Sequence, residues 1–490
     1  MKITASMMND GGPAFPVTNE QSGRCGIITM TTTNYDSFVQ SKLGASACAG
    51  IDAPLRDYQI FPHQRDLTAW ALRRGRAAIF ADTGLGKSRM QLAWADMVCR
   101  ETGGDVLILA PLAVAEQTVE EGDSIGVHVT HAREAHQVRP GITITNYDRL
   151  HKFDASGFVG IVLDESSCIK HHAAKTLHTL LDTFSATPYR LCATATPAPN
   201  DWTELGNHAQ FLGVRSRAEM LAEFFVHDGG DTQTWRLKGH ARQVFWRWVA
   251  SWGAMVRSPA DIGYDASAYE LPPLQVHQHS VETEHNPAHG LFAMEAQTLM
   301  ERRGARRESL VERVRACSRI VNASLDPWVV WCDLNSEGDA LTAAIAGAVQ
   351  IAGSDDADLK ERRLHDFAHG KIRVLVSKPS ICGFGLNWQH CAHMAFVGVT
   401  DSFEAYYQAV RRCWRFGQKR PVDVHIFSSQ QEGAVVANLR RKEAAAKEMS
   451  DAMAAETMEA VRENVLGRSK DTNPYNAADP IRIPSFMIAA

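Results

Sequence analysis

Residues 77–80, Ala-Ala-Ile-Phe, form a short apolar run, and Ala81-Asp82-Thr83-Gly84-Leu85-Gly86-Lys87-Ser88 follows it directly. This order predicts a buried strand, a glycine loop and then a helix opening at Lys87-Ser88, continued by Met90, Leu92, Ala93 and Val98. Glycine lets backbone N–H groups turn inward on an anion, and the helix N-terminus adds its positive end. A loop of this kind wraps a triphosphate. Thr83, Gly84, Leu85 and Gly86 form the cradle, Lys87 reaches the β- and γ-phosphates, and the Ser88 hydroxyl ligates Mg²⁺. Ala81 stands where the general pattern has its first glycine, so an ordinary glycine turn is the competing reading.

A triphosphate site also needs an acidic residue at the end of another buried strand. Gly160-Ile161-Val162-Leu163-Asp164-Glu165 supplies it, with Asp164 77 residues after Lys87. Asp164 fits the Mg²⁺-holding role, and Glu165 that of orienting or deprotonating the attacking water. Alone, an Asp-Glu pair reads as solvated surface; behind an apolar run and a phosphate loop it reads as the second half of a nucleotide site.

At 490 residues the chain exceeds what one core supports, so two or three domains are expected. The ten cysteines are scattered without a Cys-x-x-Cys pair, which argues against a disulfide framework or a zinc ribbon. His171-His172 after Cys168, and His390-Cys391-x-His393, match no usual metal spacing. No apolar run reaches the ~18 residues of a membrane span, and the start shows no charged-then-apolar signal pattern, so a cytoplasmic protein without membrane contact is expected. A net charge of −5 speaks against a passive nucleic-acid coat, though not against a motor with basic groups along one groove.

The first fifty residues, rich in Thr, Ser, Gly and Asn, read as a loose extension. From 51 to 212, candidate strands at 77–81, 106–110, 142–145, 159–163 and 190–193 alternate with helical stretches, the pattern of a parallel sheet covered on both faces. Residues 213–315 read as a mainly helical insert. Its tryptophans, Trp235, Trp246, Trp248 and Trp252, interleave with Arg236, Lys238, Arg242, Arg247 and Arg257. Phe245, Val249 and Trp252 share one helical face, which favours a core over a nucleic-acid stack. Seven arginines between Arg302 and Arg319, with Glu308 and Glu312 among them, suit a solvated helix or a phosphate-facing one. Alternation resumes over 316–430, with strand candidates at 329–331, 348–352, 373–376, 394–397 and 424–427. Residues 431–490 read as helices and an extended tail.

With further short motifs in a fixed order, the chain resembles superfamily 2 helicases over roughly residues 55–430. Within them it is similar to the Swi/Snf-like branch of double-stranded DNA translocases, in a compact form like the DEAD/DEAH-type helicases of bacteriophages. Phe61-Pro62-His63-Gln64 resembles the glutamine motif that reads adenine, with Gln59 a rival to Gln64. Ala110-Pro111-Leu112 and Thr145-Asn146-Tyr147 resemble motifs Ia and Ib, which implies nucleic-acid contacts for Pro111, Asn146 and Tyr147. Asp164-Glu165-Ser166-Ser167 keeps the acidic pair of motif II but lacks the usual Ala-His or Ala-Asp ending, which affects the coupling route. Thr194-Ala195-Thr196-Pro197, followed by Asn200, resembles motif III, and Gly383-Phe384-Gly385-Leu386-Asn387 motif V. Gln408-Ala409-Val410-Arg411-Arg412-Cys413-Trp414-Arg415-Phe416-Gly417-Gln418 resembles motif VI, with Asp401 where the branch carries an Asp ahead of that helix.

The resemblance implies an α/β fold of two RecA-like parallel-sheet domains in tandem, with the insert between them. It also implies ATP and Mg²⁺ in the cleft. Lys87, Asp164, Glu165, Arg412 and Arg415 would be catalytic, Gln64, Gly385 and Asn387 would join the loop in nucleotide binding, and Thr194, Thr196 and Gln408 would couple the site to movement. The implied partner is DNA, duplex and read without sequence preference, in the company of phage or host replication or recombination proteins. A strand-separating helicase on single-stranded DNA or RNA, and a slow ATP-gated clamp that recruits partners, are the rival functions. No nuclease or methyltransferase constellation accompanies these motifs.

Overall fold

The computed structural model describes residues 50–467 apart from 112–113, 170–173, 200, 229–230, 282–303, 305, 383–386, 399–401 and 430–432. The loose extension, Gly385, Asn200, Asp401, His171-His172 and the tail beyond 467 therefore lie outside the described residues.

Two all-parallel sheets organise the chain. The first uses β1 (Arg76–Ala81), β2 (Asp105–Ala110), β3 (Val129–His131), β4 (Ile142–Asn146), β5 (Phe158–Asp164) and β6 (Tyr189–Ala193). After the antiparallel hairpin of β7 (Phe225–Asp228) and β8 (Asp231–Leu237), β9 (Gly253–Val256) completes it in the order β3-β4-β2-β5-β6-β1-β9. The second sheet takes β10 (Leu274–Val281), β11 (Trp328–Trp331), β12 (Ala348–Ile351), β13 (Val374–Ser377), β14 (His393–Phe396) and β15 (Val422–Ser429), in the order β10-β15-β14-β11-β13-β12. Central strands such as β2 and β11 are buried on both faces, which is why they read as continuous apolar runs rather than alternating ones. All ten expected strands are present, within one or two residues at each end.

The 213–315 stretch is less helical than expected. It carries the helices Arg217–Phe224 and Arg242–Trp252, but also the hairpin and one strand for each sheet. Strand β9 pairs with β1 (Ala78 opposite Gly253), and β10 pairs with β15 over its whole length, from Leu274 opposite Val422 to Val281 opposite Ser429. Neither announces itself: Gly-Ala-Met-Val is too short to show a period, and Leu-Gln-Val-His-Gln-His-Ser-Val is polar because it is an exposed edge. The tryptophans behave as core. Trp246 and Trp252 are buried, Trp246 meets Trp202 edge-on at 5.3 Å, and Trp252 meets Phe80 at 6.0 Å.

The arginine-rich segment is only partly solvated. In the helix Leu310–Asn322, Arg313 is wholly buried and pairs with the equally buried Glu337 at 2.7 Å, while Arg306 pairs with Asp333 at 2.6 Å. The 34-residue helix Gly433–Leu466 leaves β15 and returns to the first lobe, where Val461 and Val465 enter the core and Asn464 donates to the Ala250 carbonyl. No helix among the described residues is long and apolar enough to cross a membrane.

Candidate active site

The loop after β1 folds as the glycines require. Gly84 and Gly86 hold φ of 95° and 81°, values that a Cβ disfavours, and the helix Lys87–Thr102 begins immediately after. Gln64 lies beneath the loop: its Nε2 donates to the Leu85 carbonyl at 2.9 Å, and its Oε1 accepts from the Phe61 N–H at 3.0 Å. A Cβ on Gly86 would stand 2.1 Å from Gln64 Nε2, so the two residues are packed as a unit. Lys87 Nζ donates to the Ala81 carbonyl at 2.9 Å, and its burial pulls the ammonium pKa down.

Asp164 ends β5 beside this loop and accepts from Gln91 Nε2 at 2.7 Å. Burial, and then the neighbouring Glu165, push the Asp164 carboxyl up to about 6. Glu165 has φ of 50°, the one positive value among the described non-glycine residues. Strain of this kind persists where surrounding contacts over-determine a residue, and it gathers at functional sites. Thr194 Oγ1 reaches Glu165 Oε2 at 3.4 Å, which joins the third motif to the second; the Thr196 N–H in turn donates to Thr194 Oγ1.

From the second lobe, the helix Phe403–Val410 and the turn after it bring Arg411, Arg412 and Arg415 to the same place. Arg412 is buried, and Gln408 holds it twice, through its carbonyl at 2.8 Å and its Oε1 at 2.7 Å. Burial and the other two guanidinium groups depress the Arg415 pKa, the signature of crowded positive charge that an oligophosphate would relieve. The cleft between the lobes, of about 360 Å³, is lined by Gln64, Thr83, Gly84, Gly86, Lys87, Ser88, Asp164 and Glu165 from one side and Asn387, Arg412 and Arg415 from the other. Ser88 and Asp164, a hydroxyl and a carboxylate at the loop end, are a donor set that suits Mg²⁺.

Sequence reasoning missed several participants. Arg411 Nη2 donates to Asp82 Oδ2 at 3.0 Å and to the Thr83 carbonyl at 2.9 Å, and Tyr407 donates to Asp82 Oδ1 at 3.0 Å, so the second lobe grips the phosphate loop directly. Phe61, Tyr269 and Phe416 form one aromatic wall of the cleft, with Tyr269 and Phe416 centroids 4.6 Å apart. Asp82 and Arg411 were visible as charges inside motifs, but only the fold makes them partners. Tyr269 lies in the connection between the sheets, with no local signal.

The nucleic-acid candidates are placed differently. Tyr147, half-buried, donates its hydroxyl to the Asp164 carbonyl at 2.8 Å, and Asn146 is buried at the end of β4. Tyr147 thus supports the acidic strand end from within, and Pro111 sits half-buried at the end of β2.

Two family models match this chain: the SNF2-related domain over residues 63–247 and the helicase conserved C-terminal domain over residues 328–417. A bifunctional helicase and thymine dioxygenase, JBP2 of Leishmania braziliensis, is 30% identical over 97 residues, which are 20% of this chain and 9% of that protein. The chain thus spans under a tenth of that relative's length. The Sulfolobus solfataricus SWI2/SNF2 ATPase core, solved in complex with dsDNA, aligns over 85% of this chain and 100% of its own, at 16% identity and a TM-score of 0.38. The two matched segments fall on the two sheets whose strand-end loops and following turns line the cleft, the first carrying the glycine loop and the acidic pair, the second the arginines. The chain therefore carries, in this order, segments that match the SNF2-related domain and the helicase conserved C-terminal domain, a pairing that indicates an ATP-hydrolysing helicase-type enzyme.

Proposed function

We propose that the chain couples Mg-ATP hydrolysis between its lobes to movement along duplex DNA, holding phosphates without reading sequence. The convergence of Lys87, Ser88, Asp164 and Glu165 from one lobe with Arg412 and Arg415 from the other, around one cleft, carries this reading. Lys87 and the loop N–H groups hold the β- and γ-phosphates. Ser88 and Asp164 would hold Mg²⁺, which supplies neutralising charge to the transferring phosphoryl group. Glu165, positioned by Thr194, orients the attacking water and takes its proton on the carboxylate. Arg412, fixed by Gln408, stabilises charge on the transferring group; an arginine in this role contributes roughly 10³- to 10⁵-fold.

Because the arginines come from the opposite lobe, hydrolysis requires closure. DNA held across both lobes favours the closed state and so stimulates turnover. The aromatic wall of Phe61, Tyr269 and Phe416 suits the flat face of a purine, with Gln64 behind the loop rather than free at its surface.

The test is ATP turnover without nucleic acid and then with duplex DNA, single-stranded DNA and RNA, using Glu165→Gln as the blank. Stimulation by duplex DNA, followed by displacement of a triplex-forming strand, is the expected result. Stimulation chiefly by single strands would favour an unwinding helicase, and slow turnover indifferent to all three a clamp.

A further inference from the structure

We propose that His365, His369 and Glu120 form a transition-metal site that clips the second lobe to the first. His365 lies in the last turn of the helix Ala357–Ala368, and His369 follows four residues later at its end, so both rings project from one face. Their centroids are 4.0 Å apart with the rings stacked at 28°, so a shared metal requires one ring to turn about its side-chain bonds until both lone pairs meet. Glu120 comes from the other lobe, on the helix Ala115–Ser124. One ligand atom from each of the three lies within 4.8 Å of the others, and His365 Nε2 is 3.4 Å from Glu120 Oε1. Ligands at about 2.0–2.1 Å from a tetrahedral Zn²⁺ stand about 3.3 Å apart, so this pair already has the required separation.

One outer contact is also that of a metal-binding histidine. His369 Nδ1 lies 2.9 Å from the His365 carbonyl; donation there leaves the Nε2 lone pair for a metal. Asp366 Oδ1 lies 4.0 Å from His365 Nδ1, beyond hydrogen-bond reach, and pairs with Lys371 at 3.0 Å. Two imidazoles and one carboxylate select Zn²⁺-like cations over Mg²⁺, which prefers oxygen. A nearby trio, Glu116, His131 and Glu361, is a weaker candidate because Arg133 already pairs with Glu361 and with Asp358 of the same seam.

The seam is where the lobes meet, so a bound cation would hold them in the arrangement seen here. A motor that must open and close would then be slowed by the metal. That consequence rests on the proposed function, whereas binding does not.

Titration of the full chain with Co²⁺ in Mg²⁺-containing buffer, followed by visible absorption and displacement by Zn²⁺, tests the site. The expected result is a d–d band of low coordination number, lost with about 100-fold in affinity in H365A/H369A and weakened about tenfold in E120A. Equal binding by the native protein and H365A/H369A would overturn the site and leave His365–Glu120 as an ion pair only. Loss in H365A/H369A with full affinity in E120A would overturn the clip between lobes. Melting curves check that each variant folds. In turnover assays, Zn²⁺ should slow the native protein several-fold more than H365A/H369A.

Discussion

Glu165 and Arg412 show how much of the proposed chemistry depends on side chains being held rather than merely present. Glu165 occupies a backbone conformation with φ of 50° and is met by Thr194, while Arg412 is fixed by two contacts to Gln408. Arg412→Ala should leave nucleotide binding intact and lower turnover by about 10³-fold or more, with binding followed by a fluorescent ATP analogue. Lys87→Ala should abolish turnover while the melting profile is retained. Gly86→Ala is a sharper test of the loop. It places a Cβ against Gln64 at a positive φ, so nucleotide affinity should fall at least tenfold with little change in the melting of the second lobe. Normal affinity in that variant would mean that the loop and Gln64 move independently.

Among the elements, the helix Leu310–Asn322 is held by a buried charge pair rather than by apolar packing alone. Arg313 and Glu337 are both inaccessible, and Glu337 Oε2 also accepts from the Asp333 and Leu334 N–H groups at 2.8 and 2.9 Å. Removing one partner strands the other charge, so Arg313→Ala should cost about 3–5 kcal/mol. That corresponds to a fall of roughly 10 °C in the melting of the second lobe. Arg313→Met with Glu337→Leu should recover much of it. The helix Gly433–Leu466 shows a different dependence. Its sequence is helical by composition, with Ala, Glu, Lys and Arg throughout, yet its destination on the first lobe is set by burial of Val461 and Val465 in that lobe's core, with Arg242–Glu456 at 2.8 Å a minor surface contact. The strands of both sheets were legible because burial on two faces leaves uninterrupted apolar runs. Strands β3, β9 and β10 were not: β3 and β9, of three and four residues, are too short to show a period, and β10 is polar along its exposed edge.

In the whole molecule, closure of the lobes is the quantity on which the proposed function turns. Arg411 and Tyr407 reach across to Asp82 in the phosphate loop, so nucleotide and interlobe contact are read by the same segment. Arg411→Ala should weaken closure by about 1.5–3 kcal/mol, the value of a hydrogen-bonded charge. It should appear as a turnover loss that saturating DNA partly restores. Asp82→Asn should give a similar loss, and the double variant little more, because the two act as one pair. Binding to DNA through phosphates should weaken steeply and linearly in log–log form as salt rises, irrespective of sequence.

The lining of the proposed nucleotide cleft was legible in the sequence, because a glycine loop, an acidic strand end and an arginine-bearing turn are each short and locally constrained. Lys87, Asp164, Glu165 and Arg412 could be named from spacing and resemblance, and they line one cleft. What folding alone decided are the pairings between distant segments: Asp82 with Arg411, Tyr269 with Phe416, Tyr147 with the carbonyl of Asp164, and Glu120 with His365. These depend on which surfaces two independent sheets turn toward each other. Local patterns record burial and backbone preference within a segment, whereas a contact across hundreds of residues leaves no periodicity in either partner.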